Sequence, residues 1–84
     1  VEHKEHELKI LPKYYRHVAS GIKPFELRKD DRDFQQFDIL YLREWENGVY
    51  TGRAVKREIT YILRDCPEYG LKEGYCILGL GDRK

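Results

Sequence analysis

Lys23, Glu26 and Arg28 place two cations and one carboxylate close together in an 84-residue chain. In an extended segment, residues at i and i+2 share a face, so Glu26 and Arg28 point the same way and Lys23, just ahead of them, reaches that face. Such a cluster can hold a phosphate through its cations, accept from an exocyclic amine through its carboxylate, or move a proton in a hydrolytic step. The same spacing also describes a plain surface ion pair, worth roughly 0–1 kcal/mol and without functional content. Phe25 and Leu27 alternate with the charged residues, so the pattern predicts that they enter the core while Glu26 and Arg28 point away from it.

The charge is unevenly spread. The chain carries a formal net charge of +1. Between positions 9 and 29, however, Lys9, Lys13, Arg16, Lys23, Arg28 and Lys29 face the single acid Glu26, a balance of +5 that leaves −4 elsewhere. A basic stretch in an otherwise acidic chain suggests a patch that meets phosphates, although a solvated Lys/Arg-rich helix face has the same signature. Lys9, Lys13, Arg16, Lys23, Glu26 and Arg28 are therefore the candidate binding residues.

Other chemistry is excluded on spacing. His3 and His6 have no Cys or further His nearby and make a poor metal site. Asp30, Asp31 and Asp33 lack the glycine and closing glutamate of a calcium loop and read as a solvated turn. His17 and Ser20 lie on one helix with no acid to orient them. No metal or cofactor is expected. Cys66 and Cys76 are compatible with one disulfide, but reduced thiols in a cytoplasm are the simpler reading, with Cys76 a small core residue.

The elements that must position the cluster follow from local signals. His6 to Leu11 reads as a strand, and Pro12 suits the first position of a helix. Leu11, Tyr14, Tyr15 and Val18 form one helical face, ended by Gly21. A second strand starts near Phe25 and a central one runs from Phe37 to Trp45. Asn47-Gly48 marks a hairpin, and Gly52 a bulge within the return from Val49 to Leu63. Residues 65–70 form a loop and Tyr75 to Leu80 a last strand. Tyr14, Val18, Phe25, Leu27, Ile39, Leu40, Ile59, Tyr61 and Ile77 are the predicted core.

With 40% hydrophobic and 37% charged residues, the chain makes one small domain, residues 1–84, with 1–5 and 82–84 frayed. A chain this short buries only about 60–65% of its unfolded surface, so its strands must share one core. No apolar run is long enough to cross a bilayer and no signal peptide is present, which points to a cytoplasmic monomer without membrane contact. Five or six strands and one helix are most economically arranged as a curled, mostly antiparallel sheet with the helix between strands one and two.

Gly21, Lys23, Glu26 and Arg28 fit the pattern G-x-K-x-x-E-x-R. The chain thereby resembles the ASCH domains, a branch of the PUA-like β-barrel superfamily. The wider string, from Leu8-Lys9-Ile10-Leu11-Pro12 through Asp31-Arg32-Asp33-Phe34 to Gly74-Tyr75, is similar to a compact bacterial and phage subfamily of unknown function. The resemblance spans roughly residues 6 to 80. It implies an α+β fold built on a small PUA-like β-barrel, with the signature lining a cleft beside the helix. One departure concerns the third strand, which in related barrels often opens on Gly-Asp; here the pair is Phe37-Asp38.

For function the resemblance implies an RNA- or nucleotide-binding module, in which Lys23 and Arg28 contact phosphate or a base edge, Glu26 selects the base and a nearby tyrosine stacks on it. The enzyme alternative is a small hydrolase of modified nucleosides or RNA, with Lys23 and Glu26 as candidate catalytic residues. Glu26 stands where the amidohydrolase branch carries its threonine nucleophile, and a carboxylate does not replace an activated hydroxyl. A third reading is a protein-interaction domain using the hairpin tip Trp45-Glu46-Asn47-Gly48.

Overall fold

Strand β1 (Glu5–Ile10) buries His6, Leu8 and Ile10 and exposes the residues between them, the period-two pattern of a half-buried strand. The computed structural model describes residues 3–82. After β1 come helix α1 (Pro12–Ala19), β2 (Phe25–Lys29), β3 (Ile39–Glu46), β4 (Val49–Leu63), a 3₁₀ turn (Pro67–Tyr69) and β5 (Tyr75–Gly81). The helix lies between the first two strands, as the sequence predicts. Among the described residues no helix is long and apolar enough to cross a membrane.

The five strands form one sheet in the order β1-β3-β4-β5-β2. β1 pairs with β3 in parallel; the other three pairings are antiparallel. The sheet is open, which corrects the expected barrel. β1 and β2 are its edges, and no backbone ladder joins them. Side chains cross the gap instead: Arg28 Nη2 donates to the Lys9 carbonyl at 2.7 Å and Arg32 Nη1 to that of Glu7 at 3.2 Å. Charged groups on the inner side of β2 occupy the seam that a β1–β2 ladder would need.

Local chemistry set most of the turns. Asn47 and Gly48 both take positive φ, +53° and +81°, the conformation of a two-residue turn that matches strand twist. Opposite Glu44 the ladder slips, with Arg43 paired to Ala54 but Trp45 to Tyr50. β4 thus bulges over residues 51–53, around the predicted Gly52. Phe37 adopts φ +76°, a conformation costly for a side-chain-bearing residue and easy for glycine.

The core consists of Leu8, Ile10, Val18, Phe34, Leu40, Leu42, Ile59, Cys76 and Leu78. Of the residues predicted to fill it, Val18, Leu40 and Ile59 do, and Ile39 and Ile77 are half-buried. Tyr14, Phe25, Leu27 and Tyr61 are exposed. The β2 error has a non-local cause. Glu26 pairs with Leu78 and Arg28 with Cys76, while Leu27 pairs with Ile77. Because Cys76 and Leu78 face inward, so must Glu26 and Arg28, and a period of two sends Phe25 and Leu27 outside.

Both cysteines are free and buried. Burial, reinforced by the negative charge of Asp30, pushes the Cys76 thiol up to about 11, so it is an inert core group. Near the chain start, His6 Nε2 lies 2.8 Å from Asp38 Oδ2, and the amides of Lys4 and Gln35 donate to the same carboxylate at 3.0 and 3.1 Å. Lys4 is thereby tied to Asp38, and Glu5 already lies in β1; residues 1–2 and 83–84 of the predicted frayed ends lie outside the described residues.

Candidate functional site

The unclosed seam of the sheet is a cleft of about 530 Å³, within the roughly 300–1,000 Å³ usual for small-molecule sites. Ile10 and Leu11 at the end of β1 form one wall, Phe25 and Leu27 of β2 the other, and Tyr14 of α1 the end. Pro12 starts the helix and turns the chain away from β1; Gly21, at φ +84°, stops it and sends the chain back toward β2.

Its floor is ionic. Glu26 is 4% exposed, and each of its oxygens receives a cation: Lys23 Nζ at 2.7 Å on Oε1 and Arg28 Nε at 2.7 Å on Oε2. Lys23 also donates to the Phe25 carbonyl at 3.0 Å, and its ammonium lies 4.9 Å from the Phe25 ring centre and 5.4 Å from that of Tyr14. Burying a carboxylate is costly unless it is paired and hydrogen-bonded. Here the pairing also orders two long, flexible side chains. The cluster carries one net positive charge, and its partly exposed cations keep donors that Glu26 does not use. It is therefore preorganised to receive an acceptor-rich or anionic group. A carboxylate so occupied orients its partners and is poorly placed to attack a substrate.

The structure gathers Lys23, Glu26 and Arg28 into this one site. Lys9 contributes its carbonyl to it, while its ammonium stacks 4.0 Å from the Trp45 ring on the outer face. Lys13 lies over Tyr14 at 5.0 Å, at the rim of the cleft. Arg16 is exposed on the helix, and its charge acts on Glu44. Trp45 itself is half-buried and packed edge-on against Tyr50.

One cluster was missed in the sequence. Glu44, 2% exposed, accepts from Thr51 Oγ1 at 2.7 Å and Arg53 Nε at 2.8 Å. The Thr51 hydrogen bond is the main influence holding its carboxyl below the ordinary glutamate value; burial opposes it and Arg53 assists. Alternation with Leu40 and Leu42 was the available signal, since it places Glu44 on the inward face. The bulge that aims Thr51 and Arg53 at it has no comparable signature beyond Gly52.

With this geometry established, comparison with known proteins places the chain. Residues 5–80 match a family described as "Domain of unknown function (DUF3850)". The chain belongs to this family. A curated relative, the "Uncharacterized 12.9 kDa protein in GpA 3'region" of Escherichia phage P2, is 47% identical over 57 residues. That match covers 68% of this chain and 52% of the phage protein, so the chain spans about half the length of this relative. The DUF3850 match contains the whole cleft, from Lys9 to Arg28.

Proposed function

We propose that the cleft binds a nucleotide or single-stranded RNA in the cytoplasm, with Lys23 and Arg28 donating to phosphate or a base edge and Tyr14 and Phe25 offering ring faces to the base. The observation that carries this reading is the Lys23–Glu26–Arg28 triad on the floor of a nucleotide-sized cleft. Glu26 acts here as the group that positions both cations. Its own selectivity for an exocyclic amine is confined to whatever lone pairs the two cations leave. The resemblance of the G-x-K-x-x-E-x-R string to the ASCH signature supports the same reading, as do stacking and cation contacts as general modes of RNA recognition.

Titration of the purified domain with the four ribonucleoside monophosphates and an unstructured RNA, at low and moderate salt, tests it by amide chemical shifts. Shifts are expected at Tyr14, Lys23, Phe25 and Arg28. RNA affinity should fall with salt at a log–log slope of about −0.7 per phosphate contact. Lys23→Ala should weaken binding about tenfold or more, as loss of a charged hydrogen bond does. A folded sample that shows no shift at low salt overturns the proposal. Release of a product from the RNA or from an acylated nucleoside, abolished by Lys23→Ala, would make the site hydrolytic instead.

A further inference from the structure

The register that turned Glu26 inward left apolar side chains on the outer face of the sheet. Across three adjacent strands, Phe25 pairs with Gly79 and Gly79 with Tyr61; one row along, Leu27 pairs with Ile77 and Ile77 with Leu63. Phe25 is 43%, Leu27 56% and Tyr61 64% exposed. Strands lie about 4.8 Å apart, so Phe25 and Tyr61 stand roughly 10 Å from each other, with only a glycine between them. The floor of that slot is polar at one point, because the Thr60 hydroxyl sits 3.2 Å from where a Cβ on Gly79 would be.

Cations flank the strip. The Lys23 ammonium lies 4.9 Å from the Phe25 ring. At the other end, Lys29 is exposed beside its cross-strand partner Tyr75, and Lys72 approaches the Tyr75 ring at 5.6 Å. Phe25 belongs both to this strip and to the cleft wall, so the two surfaces are continuous around the β2 edge. Aromatic faces interleaved with lysines suit unpaired bases and their phosphates, since stacking is tolerant of sequence and cations follow the backbone.

We infer that a single-stranded polynucleotide held in the cleft continues over the β2 edge onto this outer face, where a base stacks against Tyr61 and Phe25 above Gly79. The inference rests on the nucleotide-binding reading of the cleft and adds a second, independently removable subsite. Tyr61 lies outside the cleft and is exposed, so Tyr61→Ala is expected to leave the fold intact.

The test compares wild type, Tyr61→Ala and Tyr61→Trp by fluorescence anisotropy with labelled uridylate and deoxyuridylate oligomers of about ten nucleotides, which differ only in the 2′-hydroxyl. Uridine monophosphate binding is followed by chemical shift, and sedimentation velocity is run without ligand. Tyr61→Ala should lose roughly tenfold or more in oligomer affinity, the scale of one stacked base. It should leave monophosphate binding unchanged, and Tyr61→Trp should restore the oligomer. Comparable affinity for both oligomers would indicate that the strand is read without its 2′-hydroxyl; a preference for uridylate would indicate RNA. Monophosphate binding intact with oligomer affinity indifferent to Tyr61 overturns this inference alone. Failure of monophosphate and oligomer alike overturns the cleft reading and this one with it. Self-association of wild type that Tyr61→Ala removes, with oligomer affinity unchanged, would make the strip a protein interface and refute the inference.

Discussion

Each deeply buried acid in this domain has specific partners. Glu26 has Lys23 and Arg28, Glu44 has Thr51 and Arg53, and Asp38 has His6 and two amides. Asp38 makes this measurable. Burial is the strongest influence on it and works against ionisation, but the His6 hydrogen bond and the amides of Lys4 and Gln35 together outweigh it and hold the carboxyl below its ordinary 3.8. A folded-state value below the unfolded one contributes stability that is present above 3.8 and is lost as pH falls through the folded value. Chemical denaturation of wild type and Asp38→Asn should therefore show Asp38→Asn less stable at neutral pH. The gap should narrow below pH 3.8 by at most about 1.4 kcal/mol per pH unit. A gap constant with pH would show that the Asp38 carboxyl titrates alike in folded and unfolded chains. At this scale the sequence was legible where residues cluster locally: Lys23, Glu26 and Arg28 converge as their spacing indicated. His6 with Asp38, and Glu44 with Arg53, were not legible, because strand pairing and a bulge bring them together.

The elements were read well where one or two residues decide them. Pro12 starts α1, Asn47-Gly48 turns β3 into β4, and Gly52 lies in the bulge. What single-strand patterns could not give was the direction in which β2 faces, since its alternation is equally clean either way and the register with β5 decides it. The C-terminus of α1 shows how local and distant chemistry combine. Gly21 takes φ +84° and donates its N–H to the Val18 carbonyl at 3.1 Å, an αL helix stop. Arg57, from β4, donates to the Val18 and Ala19 carbonyls at 3.3 and 3.1 Å and complements the helix dipole. A Cβ at Gly21 meets nothing within 4 Å, so a substitution there is felt through the backbone alone. Gly21→Val should destabilise the domain by on the order of 1 kcal/mol or more, and Gly21→Asn by clearly less, because asparagine tolerates this region and β-branched residues do not. Equal unfolding midpoints for the two variants would show that positive φ is not what Gly21 supplies.

At the scale of the whole molecule, the decisive feature is an open sheet whose two edges flank the cleft. An edge strand offers a row of unpaired backbone groups to other chains, and natural sheets blunt such edges with charge or cover. On β1 the exposed side chains Glu5, Glu7 and Lys9 are charged. The carbonyls of Glu7 and Lys9, two residues apart and so on one side of the strand, are capped by Arg32 and Arg28. Arg28 serves the cleft as well, whereas Arg32 does not line it, which allows the edge to be tested apart from ligand binding. Arg32→Ala should expose the Glu7 carbonyl and strengthen concentration-dependent self-association in sedimentation velocity. The expected change is about tenfold, the worth of roughly one hydrogen bond to a charged donor. Arg32→Lys, which retains a donor, should recover much of the wild-type behaviour, and nucleotide affinity should be unchanged in both. If Arg32→Ala sediments as wild type across the concentration range, the guanidinium is not what keeps β1 unpaired. The flanking charges of Glu5, Glu7 and Lys9 would then be sufficient by themselves.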